Sequence, residues 1–129
     1  MVAVDTNVLL RVLVDDPGNA GQCAAARRRV RQAERVYVSE VVLAETVWVL
    51  VMSYQFDKQE VLETFARLLE NERFVFRSTK VVMDALGLYV DYPVDFADCL
   101  ILSDGRTHGA PLLSFDQKLA KLEGVTLVR

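Results

Sequence analysis

The feature that most constrains this chain is alternation. Short runs of β-type residues are separated by longer helical stretches, and no two of these runs meet across a tight hairpin turn. The runs are Val2 to Val4, Val36-Tyr37-Val38, Phe74-Val75-Phe76, Leu112-Leu113-Ser114-Phe115 and Val125-Thr126-Leu127-Val128. Runs this short and this rich in β-branched and aromatic residues read as strands. Strands joined through helices pair in parallel. The pattern specifies an α/β/α sandwich around a mostly parallel five-stranded sheet, with helices on both faces. All 129 residues fit one domain, 1–129, large enough to bury a core without staples.

The helical stretches carry local punctuation. A first helix runs from about Val8 to Val14, and Asp15-Asp16-Pro17-Gly18-Asn19 is turn chemistry. Ala20 to Glu34 is rich in good helix formers. Ser39 is an N-cap for a helix from Glu40 to Tyr54. Asp57 and Glu60 have capping-box spacing and start a helix reaching Glu70. Ser78 caps a helix to Val90, which Asp91-Tyr92-Pro93 breaks. Asp95 to Thr107 is the next helix, ended by His108-Gly109, and Asp116 to Lys121 is a short one.

Hydrophobic content of 52% argues against disorder. No apolar run approaches the roughly 18 residues of a membrane span, and the N-terminus lacks the pattern of a signal peptide. Cys23 and Cys99 match no metal or redox spacing, so a reduced, cytoplasmic protein is the simplest reading. A net charge of −3 disfavours nucleic-acid binding by bulk positive charge. Two bound divalent cations would reverse that sign, so a phosphate-bearing substrate stays open.

The acids are the informative residues. Val2 and Val4 make the first run apolar on both faces, as a buried central strand would be. Asp5 then stands at the carboxyl end of that strand, where open α/β sheets place their ligand crevice. Helix capping is the alternative. Thr6 and Asn7 can orient a carboxylate or a water, or serve as plain turn residues. Glu45 has Val41, Val42, Trp48 and Val49 at helical neighbour spacing. An ionised carboxylate in a buried apolar stripe needs a metal ion or a cationic partner. A Glu at the stripe's edge, reaching water or an Arg, is the competing reading. Asp95 and Asp98 share one face at a helix start, as ligands or as a cap and a dipole-favoured acid. Asp116 repeats the situation of Asp5 after the fourth strand.

Three or more carboxylates can hold Mg²⁺ or Mn²⁺, which prefer oxygen ligands. Such ions activate water and stabilise a phosphodiester in transit. With His108 as the sole imidazole and no Cys cluster, zinc and Ser-His-Asp chemistry lack support. Neither a P-loop nor a Gly-rich dinucleotide fingerprint is present.

Val4-Asp5-Thr6-Asn7-Val8-Leu9-Leu10, Glu45 in its apolar helix, Asp95-Phe96-Ala97-Asp98-Cys99-Leu100-Ile101 and Leu113-Ser114-Phe115-Asp116 together resemble the PIN-domain ribonucleases. The nearest branch is the VapC-type toxins of toxin–antitoxin pairs. The resemblance spans nearly the whole chain. It implies a PIN-like fold and a Mg²⁺- or Mn²⁺-dependent endoribonuclease. Asp5, Glu45, Asp98 and Asp116 match the family's acidic quartet, Asp95 an additional metal-side acid, and Thr6 and Ser114 supporting hydroxyls. It further implies an RNA substrate, commonly tRNA or ribosomal RNA, a cognate antitoxin laid over the early helices, and a homodimer. Cys99 stands where Ala is more usual.

Two other function classes fit the residues less well. An aspartyl phosphotransferase or phosphatase would usually carry a second Asp two residues after the first, where this chain has Asn7. A catalytically silent module with this fold is disfavoured by the intact acids. Arg27, Arg28, Arg29, Arg31 and Arg35 spread around a helix, as a solvated surface or as contacts to phosphate or a protein partner. Arg11, Arg106, Lys118 and Lys121 are nearer the expected metal edge and are candidates for contact with an RNA backbone. Tyr37, Trp48, Phe56 and Phe65 read as core or interface. The apolar excess from Val8 to Leu13 leaves room for a partner surface.

Overall fold

Local cap chemistry sets most helix boundaries in the computed structural model, which describes residues 1–129. Asp5 accepts the Val8 N–H, so α1 spans Thr6–Leu13 and starts two residues earlier than apolarity alone suggests. Asp16 opens a 3₁₀ turn, Pro17–Asn19, leading into α2, Ala20–Gln32. Ser39 caps α3, Glu40–Met52. The Asp57/Glu60 capping box is complete at α4, Lys58–Glu70. Ser78 caps α5, Thr79–Asp91, and α6 is Phe96–Thr107. His108 is its C-cap, and Gly109 takes φ +63°, open to glycine at no steric cost. Asp116 to Lys121 is not a continuous helix. Asp116 closes a turn, and only Leu119–Lys121 is helical, as one 3₁₀ turn.

The strands are β1 Val2–Ala3, β2 Val36–Tyr37, β3 Phe74–Val75, β4 Leu112–Ser114 and β5 Val125–Leu127. The fold is α/β with six helices and parallel strands, but the ladders number two. One has the order β1-β2-β3 and the other pairs β4 with β5, all parallel. The expected single five-stranded sheet is thus corrected to three strands plus two. Strands of two or three residues make few ladder bonds, and nothing in a short apolar run encodes which neighbour it takes.

The chain divides into two compact units, Met1–Arg77 and Ser78–Arg129. In the first, β2 is the middle strand, with Val36 and Val38 fully buried. β1 is an outer strand whose Val2 and Val4 are only partly buried, against the expectation of a buried centre. The core of this unit is Leu9, Leu10, Leu43, Val47, Leu50, Val61 and Phe65. Arg11 reaches Gln22 and the Tyr54 hydroxyl, which donates to Asp16 at 2.8 Å. That network ties α1, the 3₁₀ turn, α2 and the segment after α3 together. Hydrogen bonds from Asn19 and Tyr54 hold the Asp16 carboxyl below its ordinary range.

In the second unit α5 packs on α6 through Val81, Val82, Ala85, Phe96, Cys99 and Leu102, with the Tyr89 and Phe96 rings edge to face at 5.7 Å. Gly124 takes φ +88° at the turn into β5, against Arg106 and Leu102, and Arg106 donates to the Glu123 carbonyl. Cys23 and Cys99 are buried and form no disulfide, and no helix is long and apolar enough to cross a membrane.

Helix α3 is apolar all round, and only one side of it is buried. Leu43, Thr46, Val47 and Leu50 face the core, whereas Val41, Trp48 and Met52 are more than half exposed. Leu50→Ala is therefore expected to cost about 2–5 kcal/mol, and Trp48→Ala to stay within about 0.5 kcal/mol. Urea denaturation of the two variants checks this; equal costs would show that the buried face is misassigned.

Candidate functional site

The first unit supplies Asp5, Thr6, Asn7 and Glu45. Parallel pairing sends β1, β2 and β3 out of the ladder at one end, so Asp5, Ser39 and Arg77 follow strand ends on the same edge. The Asp5 backbone is extended at φ −88°, ψ 177°, and its Oδ1 accepts the Val8 N–H at 2.9 Å. The capping reading of Asp5 holds. It uses one carboxylate oxygen and leaves the residue exposed.

Thr6 Oγ1 donates to Glu45 Oε1 at 3.2 Å, which fastens Glu45 to the start of α1 beside Asp5. Glu45 itself is exposed, and so are Val41 and Trp48 on either side. The expectation of a carboxylate inside a buried stripe is corrected: Val42 is buried and Val49 half-buried, but Glu45 stands at the stripe's edge and reaches water, as the competing reading had it. An all-apolar helix carries no periodic signal to tell its two sides apart. Glu40, one turn earlier, is taken by Arg77, whose Nε and Nη2 donate to its Oε2 at 3.0 and 2.7 Å. Glu45 has no such cation. Asn7 is exposed and bonds to neither acid.

The second unit supplies Asp95, Asp98, Ser114 and Asp116. Asp95 occupies the N-cap position of α6, yet its side chain makes no cap bond and is exposed. Its carboxylate is thus not spent on the helix. Asp98, in the first turn, is half-buried. Burial pushes its pKa above the ordinary 3.8, and the charges of Asp95 and Asp116 push the same way. These three acids are therefore one electrostatic group. Ser114 Oγ accepts the Asp116 N–H at 3.0 Å, and Asp116 Oδ1 accepts from the Lys118 and Leu119 N–H groups at 2.8 and 3.1 Å. Asp116 is a turn cap as well as a strand-end acid.

The five acids thus fall into two sets, Asp5 with Glu45 and Asp95 with Asp98 and Asp116. No group of three or more His, Cys, Asp or Glu side chains stands ready to hold a metal ion. In ligand type the residues fit Mg²⁺ or Mn²⁺: all donors are carboxylate oxygens, and the like charges around Asp98 are unneutralised. Mg²⁺ keeps several waters and often needs only one or two carboxylates.

Of the basic residues, Arg27 pairs with Asp15 at 2.8 Å and donates to the Val12 carbonyl, and Arg35 donates to the Glu72 carbonyl. Arg11 and Arg106 are also internally engaged. Lys118 and Lys121 are exposed. Phe65 is core and Trp48 is surface. Sequence reasoning passed over Phe115, which is 79% exposed next to Asp116. An aromatic residue directly before a strand-end acid was the available signal.

Comparison with known proteins adds four findings. The PIN domain family model matches residues 2–125. A VapC ribonuclease of Aquifex aeolicus (strain VF5) is 26% identical over 124 residues, covering 95% of this chain and 92% of that protein. Among solved structures, a toxin–antitoxin complex from Klebsiella pneumoniae overlays with a TM-score of 0.39 at 18% identity, covering 98% of this chain and 96% of that one. A sarcin-ricin-loop-cleaving VapC toxin of Mycobacterium tuberculosis gives 0.44 at 18% identity, covering 100% and 99%.

Asparagine caps helices as well as aspartate does. Asp5→Asn is expected to keep unfolding stability within a few tenths of a kcal/mol, while Asp5→Ala loses about 1 kcal/mol; chemical denaturation of both variants tests the cap. For Asp98 the raised folded-state pKa means that the folded chain binds this proton more tightly than the unfolded chain. Stability falls as pH climbs upward from about 3.8 through that raised value. Asp98→Asn should accordingly raise the melting temperature in metal-free buffer at neutral pH, with the gain shrinking toward acid pH. A variant that melts lower than wild type at pH 7 would refute the crowding.

Proposed function

The chain belongs to the PIN domain family, and on that premise we propose that it is a metal-dependent endoribonuclease toxin with a cognate antitoxin. The family match running across both units supports reading residues 1–129 as one PIN-like domain. The single observation that carries the functional reading is the presence of all four acidic segments, in order, inside the matched span. The relative named as a VapC ribonuclease supports the same reading.

Asp5, Glu45, Asp98 and Asp116 are assigned as the carboxylates that hold Mg²⁺ or Mn²⁺, directly or through water, with Asp95 as an additional acid. When bound, the ion supplies charge stabilisation to the phosphodiester and acidifies water. The chain's own groups orient the carboxylates. Thr6 fixes the Glu45 carboxylate through its hydroxyl. Ser114 fixes the turn that presents Asp116. Asp98 is half-buried and feels the charges of Asp95 and Asp116, a crowding that a bound cation would relieve. The substrate is RNA, with tRNA or ribosomal RNA as the target class, and the site of action is the cytoplasm.

The exposed stripe Val41, Trp48 and Met52 around Glu45 supports a protein contact in the first unit, to the antitoxin or to a second copy in a homodimer. Apolar Val8 on α1 is exposed too, while Leu9 and Leu10 are buried.

Purified chain should cut RNA only with Mg²⁺ or Mn²⁺ and stop with a chelator. Asp98→Asn and Asp116→Asn should each slow cutting about 100-fold or more, the scale of losing one charge-stabilising group. Mn²⁺ should raise the wild-type melting temperature and leave that of Asp98→Asn unmoved. Full cutting in the presence of chelator would sink the metal assignment.

A further inference from the structure

The turn after β4 presents an aromatic ring that no internal contact accounts for. Phe115 is 79% exposed and Leu113, two residues back, is 67% exposed. Phe115 lies in the bend that follows β4, directly before Asp116 in the chain. The frame beneath the ring is held by three hydrogen bonds. Ser114 accepts the Asp116 N–H, and Asp116 accepts from Lys118 and Leu119. Within four consecutive residues the turn offers a ring, a carboxylate, an amide and an ammonium: Phe115, Asp116, Gln117 and Lys118. All four residues are exposed, and the Lys118 ammonium enters no ion pair.

Ring and ammonium on one fixed turn match the two halves of a nucleotide. The base offers a π-face and the phosphate a negative charge. The centres of protein-binding patches are depleted of lysine, whereas paired aromatic and cationic side chains are what single-stranded nucleic-acid surfaces use. We propose that Phe115 is a base-stacking platform for an unpaired nucleotide of the RNA substrate, with Lys118 contacting its phosphate. This rests on the reading of Asp116 as a site carboxylate. It makes Phe115 a specificity-determining residue. A base inside an A-form helix has both faces covered, so the ring selects unpaired positions. Because every base has a π-face, it does so with little regard to which base is offered.

The test uses the full chain carrying Asp5→Asn, so that RNA survives the measurement, and a fluorescent single-stranded oligouridylate of about twelve nucleotides as probe, with the matching duplex as control. Phe115→Ala is expected to weaken single-strand binding about 5- to 100-fold, with Phe115→Tyr restoring it, because stacking contributes on that scale. Lys118→Ala should weaken binding less and flatten its salt dependence. In a Trp48→Phe background, which removes the chain's one tryptophan, Phe115→Trp should lose emission when the single strand is added. Binding by Phe115→Ala within twofold of the parent, or an unquenched Trp at 115, overturns the proposal. So does a Phe115→Ala change that spares RNA binding but abolishes self-association, which would give the ring to a protein contact. RNA cutting by the wild type is scored separately. If it persists while position 115 proves indifferent, the stacking role alone is lost; if the wild type neither cuts nor binds RNA, both readings fall.

Discussion

Parallel pairing of β1, β2 and β3 decides where everything in the first unit goes. Strands that run the same way leave the ladder at the same edge, so the residues that follow them emerge together. That edge receives Asp5, the start of α3 and Arg77. The ladder is slight, two residues per strand, and its stability comes from the helices packed against it. Leu9 and Leu10 of α1, Leu43, Val47 and Leu50 of α3, and Phe65 of α4 are all buried. Thr6 and Glu45 meet because two helices start from neighbouring strand ends, while Glu40, one turn earlier on α3, is paired with Arg77.

The second unit gathers its acids by a different route. Asp95 and Asp98 are set by the first turn of α6, whereas Asp116 is set by a capped turn after β4. Their mutual repulsion is visible at Asp98. A fold tolerates such crowding at a cost, and the cost is one that a divalent cation relieves. The same acids explain why a chain of net charge −3 is compatible with a polyanionic substrate: the formal charge counts the carboxylates as bare.

Much of this was legible in the sequence, for reasons that differ by residue. Ser39, Ser78 and the Asp57/Glu60 box were readable because capping is settled within four residues. The α/β class was readable because hairpins need tight-turn signals and the chain has none. The place of β1 was not, since a two-residue apolar strand looks the same at the edge of a ladder as in its middle. Nor was the exposure of Glu45, because α3 is apolar on every side. Asp5 and Asp116 resisted a single label because both the capping and the ligand readings use the same carboxylate, and each is a cap. Asp95 did the reverse: it stands at a cap position and does not cap. The expected single sheet was lost to pairing that depends on long-range packing. Phe115 escaped notice because an aromatic residue at a strand end is usually core.

The double duty of Asp5 has an evolutionary consequence. A single transition in an aspartate codon yields asparagine, which keeps the helix cap and so keeps the fold. On the proposed function such a chain would be disarmed without being unfolded, and the exposed stripe Val41, Trp48 and Met52, proposed above as a protein contact, would be unchanged. It would therefore persist as a decoy, sequestering antitoxin from any active copy in the same cell, rather than vanish through degradation.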